Sequence, residues 1–151
     1  MTRYVLDTNV YIRAWRNPAA QSELDRFSRR YVTATHLSSV VFHELLLGAT
    51  GPAMAKDLVE GLAGPFTRTK RVVVPSQAAW VRAAEIIAQM AWHDGVDRST
   101  LPRGFVNDVL IAASCRENGL TLVTENVRDF RRIQKRLPFE YVTPWPEDAK
   151  A

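Results

Sequence analysis

Apolar residues fall in short blocks set between longer amphipathic stretches. Tyr4-Val5-Leu6 is a compact apolar run that reads as a buried strand, with Asp7 at its carboxyl end. Asp7-Thr8-Asn9 opens a short helix through Trp15, closed by Asn17-Pro18. A second helix spans 19–30 and turns Leu24 and Phe27 inward. The β-branched stretch from Tyr31 to Thr35 predicts a second strand. Ser38 or Ser39 caps a helix carrying Val40, Val41, Glu44, Leu45 and Leu47, which stops at Gly48. A small helix follows Pro52, and Gly61 to Pro65 reads as a loop. Arg71 to Val74 is a third strand, ended by Pro75. Ser76 caps a long helix to Trp92, closed by Asp94-Gly95. The polar stretch 96–103 is irregular. A helix from Phe105 to Glu117 ends at Asn118-Gly119, and Leu120 to Val123 follows as a fourth strand. A short helix over 127–135 and a last strand over 139–142 complete the pattern.

Strands alternate with helices throughout, which predicts an α/β fold with a mostly parallel central sheet of four to five strands flanked by helices. Ligands of such sheets bind beyond the carboxyl ends of the strands. Asp7 stands at one such end, and Asn126 and Asp129 follow another. The pattern contains no repeat and no linker, so 1–145 reads as a single domain and 146–151 as a loose C-terminal tail.

Composition adds bounds. A chain of 151 residues fits one domain and buries roughly 70% of its unfolded surface, so it needs no disulfide staples. A lone cysteine, Cys115, cannot form an internal disulfide, which predicts a reducing, cytoplasmic setting. The first residues lack the long apolar run of a signal peptide, and no segment approaches a membrane span. The net charge of +4 is carried in clusters: Arg26, Arg29 and Arg30; Arg68, Lys70 and Arg71; and Arg128, Arg131, Arg132, Lys135 and Arg136. Solvated helix faces explain such clusters on their own. An acidic centre within a basic surface suits an enzyme that draws in a phosphate backbone.

The acids sit in unusual company. Asp7, Glu44, Asp108 and the Glu125–Asp129 stretch each lie in or beside an apolar run. A buried carboxylate is costly without a partner, and one divalent cation accounts for several at once. An all-oxygen ligand set fits magnesium or manganese. Each acid also has a simpler reading. Asp7 can cap a helix, Asp108 can complement the first turn of its helix, and Glu44 can be exposed. His43-Glu44 lacks the second His of a zinc-protease helix, because Leu47 holds that position. His36, His43 and His93 have no ligand spacing. Asn9 stands where a phosphatase would need a second acid. No phosphate-binding glycine loop is present. Cys115 and the tryptophans Trp15 and Trp92 are assigned to packing, with base stacking as the alternative for the two rings. Metal-assisted phosphodiester hydrolysis remains.

At these residues the chain resembles PIN-domain ribonucleases, and among them the VapC-type toxins of toxin–antitoxin pairs. The resemblance rests on Val5-Leu6-Asp7-Thr8-Asn9, on Glu44-Leu45 with Gly48, on Asn107-Asp108, and on Leu122-Val123-Thr124 with Asn126 and Asp129-Phe130. It implies a magnesium- or manganese-dependent endoribonuclease with one or two ions per site, a homodimer or higher assembly, and a small antitoxin that blocks the site. It implies Asp7 and Asp108 as principal metal ligands, with Glu44 in the same acidic set. Thr8, Asn9, Thr124 and Asn126 would be supporting polar residues. Many relatives carry a further acid where this chain has Asn126, so Asp129, or else Glu125, would complete the catalytic set. A PIN-like RNA- or protein-binding module with weak catalysis, and a structure-specific DNA nuclease, are the competing readings.

Overall fold

The computed structural model describes residues 1–146. Five parallel strands form one sheet in the order β3-β2-β1-β4-β5. They are β1 (Tyr4–Leu6), β2 (Thr35–Ser38), β3 (Val72–Val73), β4 (Thr121–Val123) and β5 (Glu140–Val142). Helices α1 (Thr8–Arg16), α2 (Pro18–Arg30), α3 (Ser39–Leu47), α4 (Pro52–Asp57), α5 (Gly64–Arg68), α6 (Gln77–His93), α7 (Arg103–Asn118) and α8 (Val127–Gln134) connect and flank them. β1 is central, with Tyr4 opposite both Thr35 and Thr121. All three residues of β1 are buried, as a parallel strand covered on both faces requires. The core joins β1 and β4 to Val109, Ile111 and Ala112 of α7, Ile86 and Met90 of α6, and Phe130 and Ile133 of α8.

Side-chain caps set most helix starts. Asp7, Asn17, Ser38, Ser76 and Asn126 each accept a hydrogen bond from a first-turn N–H of α1, α2, α3, α6 and α8. Ser38, not Ser39, caps α3. Gly119 closes α7 at φ 62°, a left-handed conformation that favours glycine.

Three departures from the sequence reading have local causes. The second strand is Thr35–Ser38 rather than 31–35, because 31–34 is spent closing α2: Tyr31 donates to Phe27 O, and Ala34 and Thr35 donate to Tyr31 O. The expected loop at 61–65 is helical. Leu58–Ala63 forms a wide helical turn that buries Leu58 and Ala63, and Pro65 lies in the first turn of α5, where its missing N–H costs nothing. Leu47 is exposed rather than part of a core face. At the end of the described chain, Trp145 stacks on Phe27 with centroids 4.7 Å apart, and Pro146 is buried. The loose tail expected for 146–151 otherwise lies outside the described residues.

Candidate active site

β1 and β4 deliver the central polar groups. The sheet order reverses between them, so a crevice opens beyond their carboxyl ends. Asp7 leaves β1 with its N–H on Val123 O, 2.9 Å, which fixes it beside the end of β4. Its side chain is 3% exposed. Oδ1 caps α1 by accepting from Thr8 N, 2.8 Å. Oδ2 accepts from Thr124 Oγ1 at 2.6 Å and Asn9 Nδ2 at 3.0 Å. The capping reading of Asp7 is therefore realised, and it holds the carboxylate at the crevice.

Thr8 continues the chain of contacts. Its hydroxyl donates to Glu44 Oε1, 2.8 Å, so α1 and α3 meet at a carboxylate. Glu44 is half-buried, not exposed. Asp108 is 8% exposed. α7 begins at Arg103, two residues earlier than the sequence pattern predicts, so Asp108 lies in the second helical turn. First-turn capping does not explain it.

Asn126 occupies the position where an acid was expected. It caps α8 through Oδ1, and its Nδ2 donates to Asp108 Oδ2 at 3.2 Å and Asp129 Oδ2 at 3.1 Å. Its own N–H donates to Thr124 Oγ1, 3.0 Å. One amide thereby holds two carboxylates near each other. Glu125 is directed elsewhere: it pairs with Arg13, while its N–H donates to Asn9 Oδ1. Of the two candidates for the last acid, Asp129 is the one joined to Asp108. Sequence reasoning missed the Arg13–Glu125 pair, which no local pattern signals across 112 residues.

Electrostatics separate Asp7 and Asp108 from ordinary surface carboxylates. Burial, followed by repulsion from Asp7, Glu44 and Asp129, pushes Asp108 up to about 8, against the pull of the Asn126 hydrogen bond. Burial likewise raises Asp7, with Glu44 adding to it and the hydrogen bonds from Thr124, Thr8 and Asn9 opposing. Among the described residues none of the four acids is in a salt bridge. Nor do any three His, Cys, Asp or Glu side chains there enclose a metal position as they lie. The donor set still suits a hard divalent ion, because magnesium is held by one or two carboxylates with water and phosphate oxygens completing its shell.

The remaining candidates resolve simply. Cys115 is buried, which pushes its thiol up to about 12 and makes it a packing residue. His43 and His93 are exposed, and His36 donates from Nδ1 to Ala34 O. Trp15 and Trp92 are 42% and 68% exposed, so neither is the packed residue the sequence suggested. Arg128, Arg131 and Arg132 lie exposed on α8, the helix that carries Asp129, and Lys135 lies exposed at its end. Among the described residues no helix is long and apolar enough to cross a membrane.

Known proteins resemble this chain along most of its length. The PIN domain profile matches residues 4–136. The tRNA(fMet)-specific endonuclease VapC of Shigella flexneri is 32% identical over 133 residues, covering 88% of this chain and 93% of its own length. Two crystal structures superpose on nearly the whole chain. DNA-bound VapBC from Salmonella typhimurium has a TM-score of 0.68 at 23% identity, covering 95% of this chain and 98% of that one. FitAcB from Neisseria gonorrhoeae has a TM-score of 0.67 at 22% identity, covering 94% and 98%. At such identities these two establish the fold. The chain belongs to the PIN-domain family, and within it to the VapC-type proteins.

Proposed function

We propose that this chain is a magnesium- or manganese-dependent endoribonuclease and the toxin of a toxin–antitoxin pair. The observation that carries the reading is Asp108: a buried carboxylate crowded by Asp7, Glu44 and Asp129, with no cationic side chain among the described residues paired to any of them. A divalent cation, when bound, supplies the missing positive charge and polarises a phosphate oxygen and a water. Asp7 and Asp108 would hold it, with Glu44 as a third ligand or as acceptor for the attacking water. Asp129 completes the acidic set, held beside Asp108 by the Asn126 amide.

The chain's own residues then have separate tasks. Thr124, Asn9 and the Thr8 N–H fix the Asp7 carboxylate through three hydrogen bonds, so little reorganisation is needed when charge develops nearby. Thr8 Oγ1 orients Glu44, and Asn126 orients Asp108. The α8 cations would draw in the phosphate backbone. RNA as substrate is supported by the Shigella relative, whose name makes tRNA the first substrate to try. An antitoxin partner is supported by the structural neighbours, VapBC and FitAcB, and a homodimer is expected from the family resemblance alone.

The test is direct. Purified protein with magnesium should cut tRNA, and EDTA should stop it. Asp7→Asn should lower the cleavage rate by at least about a hundredfold with its far-UV circular dichroism unchanged. Full activity in EDTA would refute the proposal.

A further inference from the structure

A groove between α1 and α3 leads away from the carboxylates. It begins at the Thr8–Glu44 hydrogen bond and opens into a cavity of about 290 Å³. Ile12, Trp15 and Arg16 of α1, Glu44 of α3, Gly48 just past its end and Met54 of α4 line it. Glu44 thus belongs to the acidic cluster and to the cavity. Thr8, Ile12, Trp15 and Arg16 follow helical spacing along one face of α1. Seven residues of helix place Trp15 roughly 10 Å along the axis from Thr8, within reach of the nucleotide next to a phosphate at the cluster.

Trp15 differs from the other walls. Its ring is 42% exposed, yet it is braced by the buried ring of Tyr11, whose centroid lies 6.2 Å away. Met54 is held in turn by the Thr50 hydroxyl, 3.7 Å from its sulfur. An indole face, a thioether and a guanidinium around one cavity form a surface on which any base can stack. An aliphatic side chain would fill such a cavity equally well. Its continuity with Glu44 favours the base, because RNA docked at the carboxylates would have this opening directly beside it.

We infer that the cavity takes an unstacked nucleobase of single-stranded RNA, next to the phosphate at the carboxylates, with Trp15 as the stacking platform and Arg16 at the rim. The inference rests on the endoribonuclease reading for its substrate class. Trp15 binds and positions RNA and takes no part in the chemistry.

Short single-stranded oligoribonucleotides added to the full chain should quench tryptophan fluorescence. Trp15→Leu should remove that component and weaken binding by roughly tenfold or more, raising KM with little change in kcat. Trp15→Phe should retain most of the affinity, and melting curves check that both variants fold. Equal losses in the two variants would overturn stacking. Unchanged binding and KM in Trp15→Leu would overturn the inference, as would variants that treat RNA normally but escape inhibition by a protein partner. Cleavage that survives with an unchanged KM brings down the cavity alone. A protein whose quenching depends on Trp15 but which cuts no RNA keeps the cavity and brings down the nuclease.

Discussion

At the amino ends of the strands, Arg71 donates to the carbonyls of Val32 and Thr35, and Arg3 donates to Asn118 O. Arg71 also stands 4.9 Å over the Phe66 ring. At the carboxyl ends of β1 and β4, by contrast, buried acids face one another, and the polar groups that reach them are neutral: Thr8, Asn9, Thr124 and Asn126. Cations at the first end meet acceptors from the backbone itself, which secures the fold. Acids at the second end are left with a charge deficit that an added cation would fill. Perturbed carboxylates of this kind gather where a protein does chemistry.

Three measurements bear on that contrast. The largest effect concerns pH. Asp108 sits at about 8 in the folded chain, above the usual carboxylate range. The folded state therefore binds more protons than the unfolded state between the two values, and stability falls as pH rises through that window. Metal-free protein should lose on the order of a few kcal/mol between pH 5 and pH 8, read from denaturant melts. Manganese should restore more of it at pH 8 than at pH 5, since protons and the ion compete for the same oxygens. A flat metal-free profile would remove the charge deficit.

Asn126→Asp comes next. It removes the two N–H donors that join Asp108 to Asp129 and adds a negative charge. Metal-free stability at pH 8 should drop by about 1–3 kcal/mol, while the gain in Tm on adding manganese should grow. An unchanged gain would put position 126 outside the ion's surroundings. The smallest effect belongs to the other end. Arg71→Ala should cost about 1–2 kcal/mol, seen as a lower Tm, and should leave the RNA cleavage rate as it was. A loss of activity there would mean the two ends are coupled.

Much of this was legible in the chain. Apolar blocks located all five strands to within a few residues, and the acids at the ends of β1 and β4 followed from the parallel-sheet rule. What escaped had physical reasons. Tyr31-Val32-Thr33 has strand propensity, but closing α2 took its backbone groups. Pro102 gives α7 no side-chain cap, so its start at Arg103 carried no local signal and Asp108 read as a first-turn residue. Thr124, which holds Asp7, lies 117 residues from it, and Asn126 lies 18 residues from Asp108. Propensity cannot see such pairs. Asn126 looked like a missing ligand in the chain, and only its place between two acids shows it to be their tether.

The central position of β1 also bears on how the chain is made. β1 leaves the ribosome before the other four described strands, yet the hydroxyl that holds Asp7 comes from Thr124 and the amide that holds Asp108 comes from Asn126. A growing chain carries Asp7 and Asp108 before it carries Thr124 and Asn126, the later of the residues that hold them. The cluster is therefore completed late in translation, and a product cut short before β4 holds Asp7, Glu44 and Asp108 without Thr124, Asn126 and Asp129.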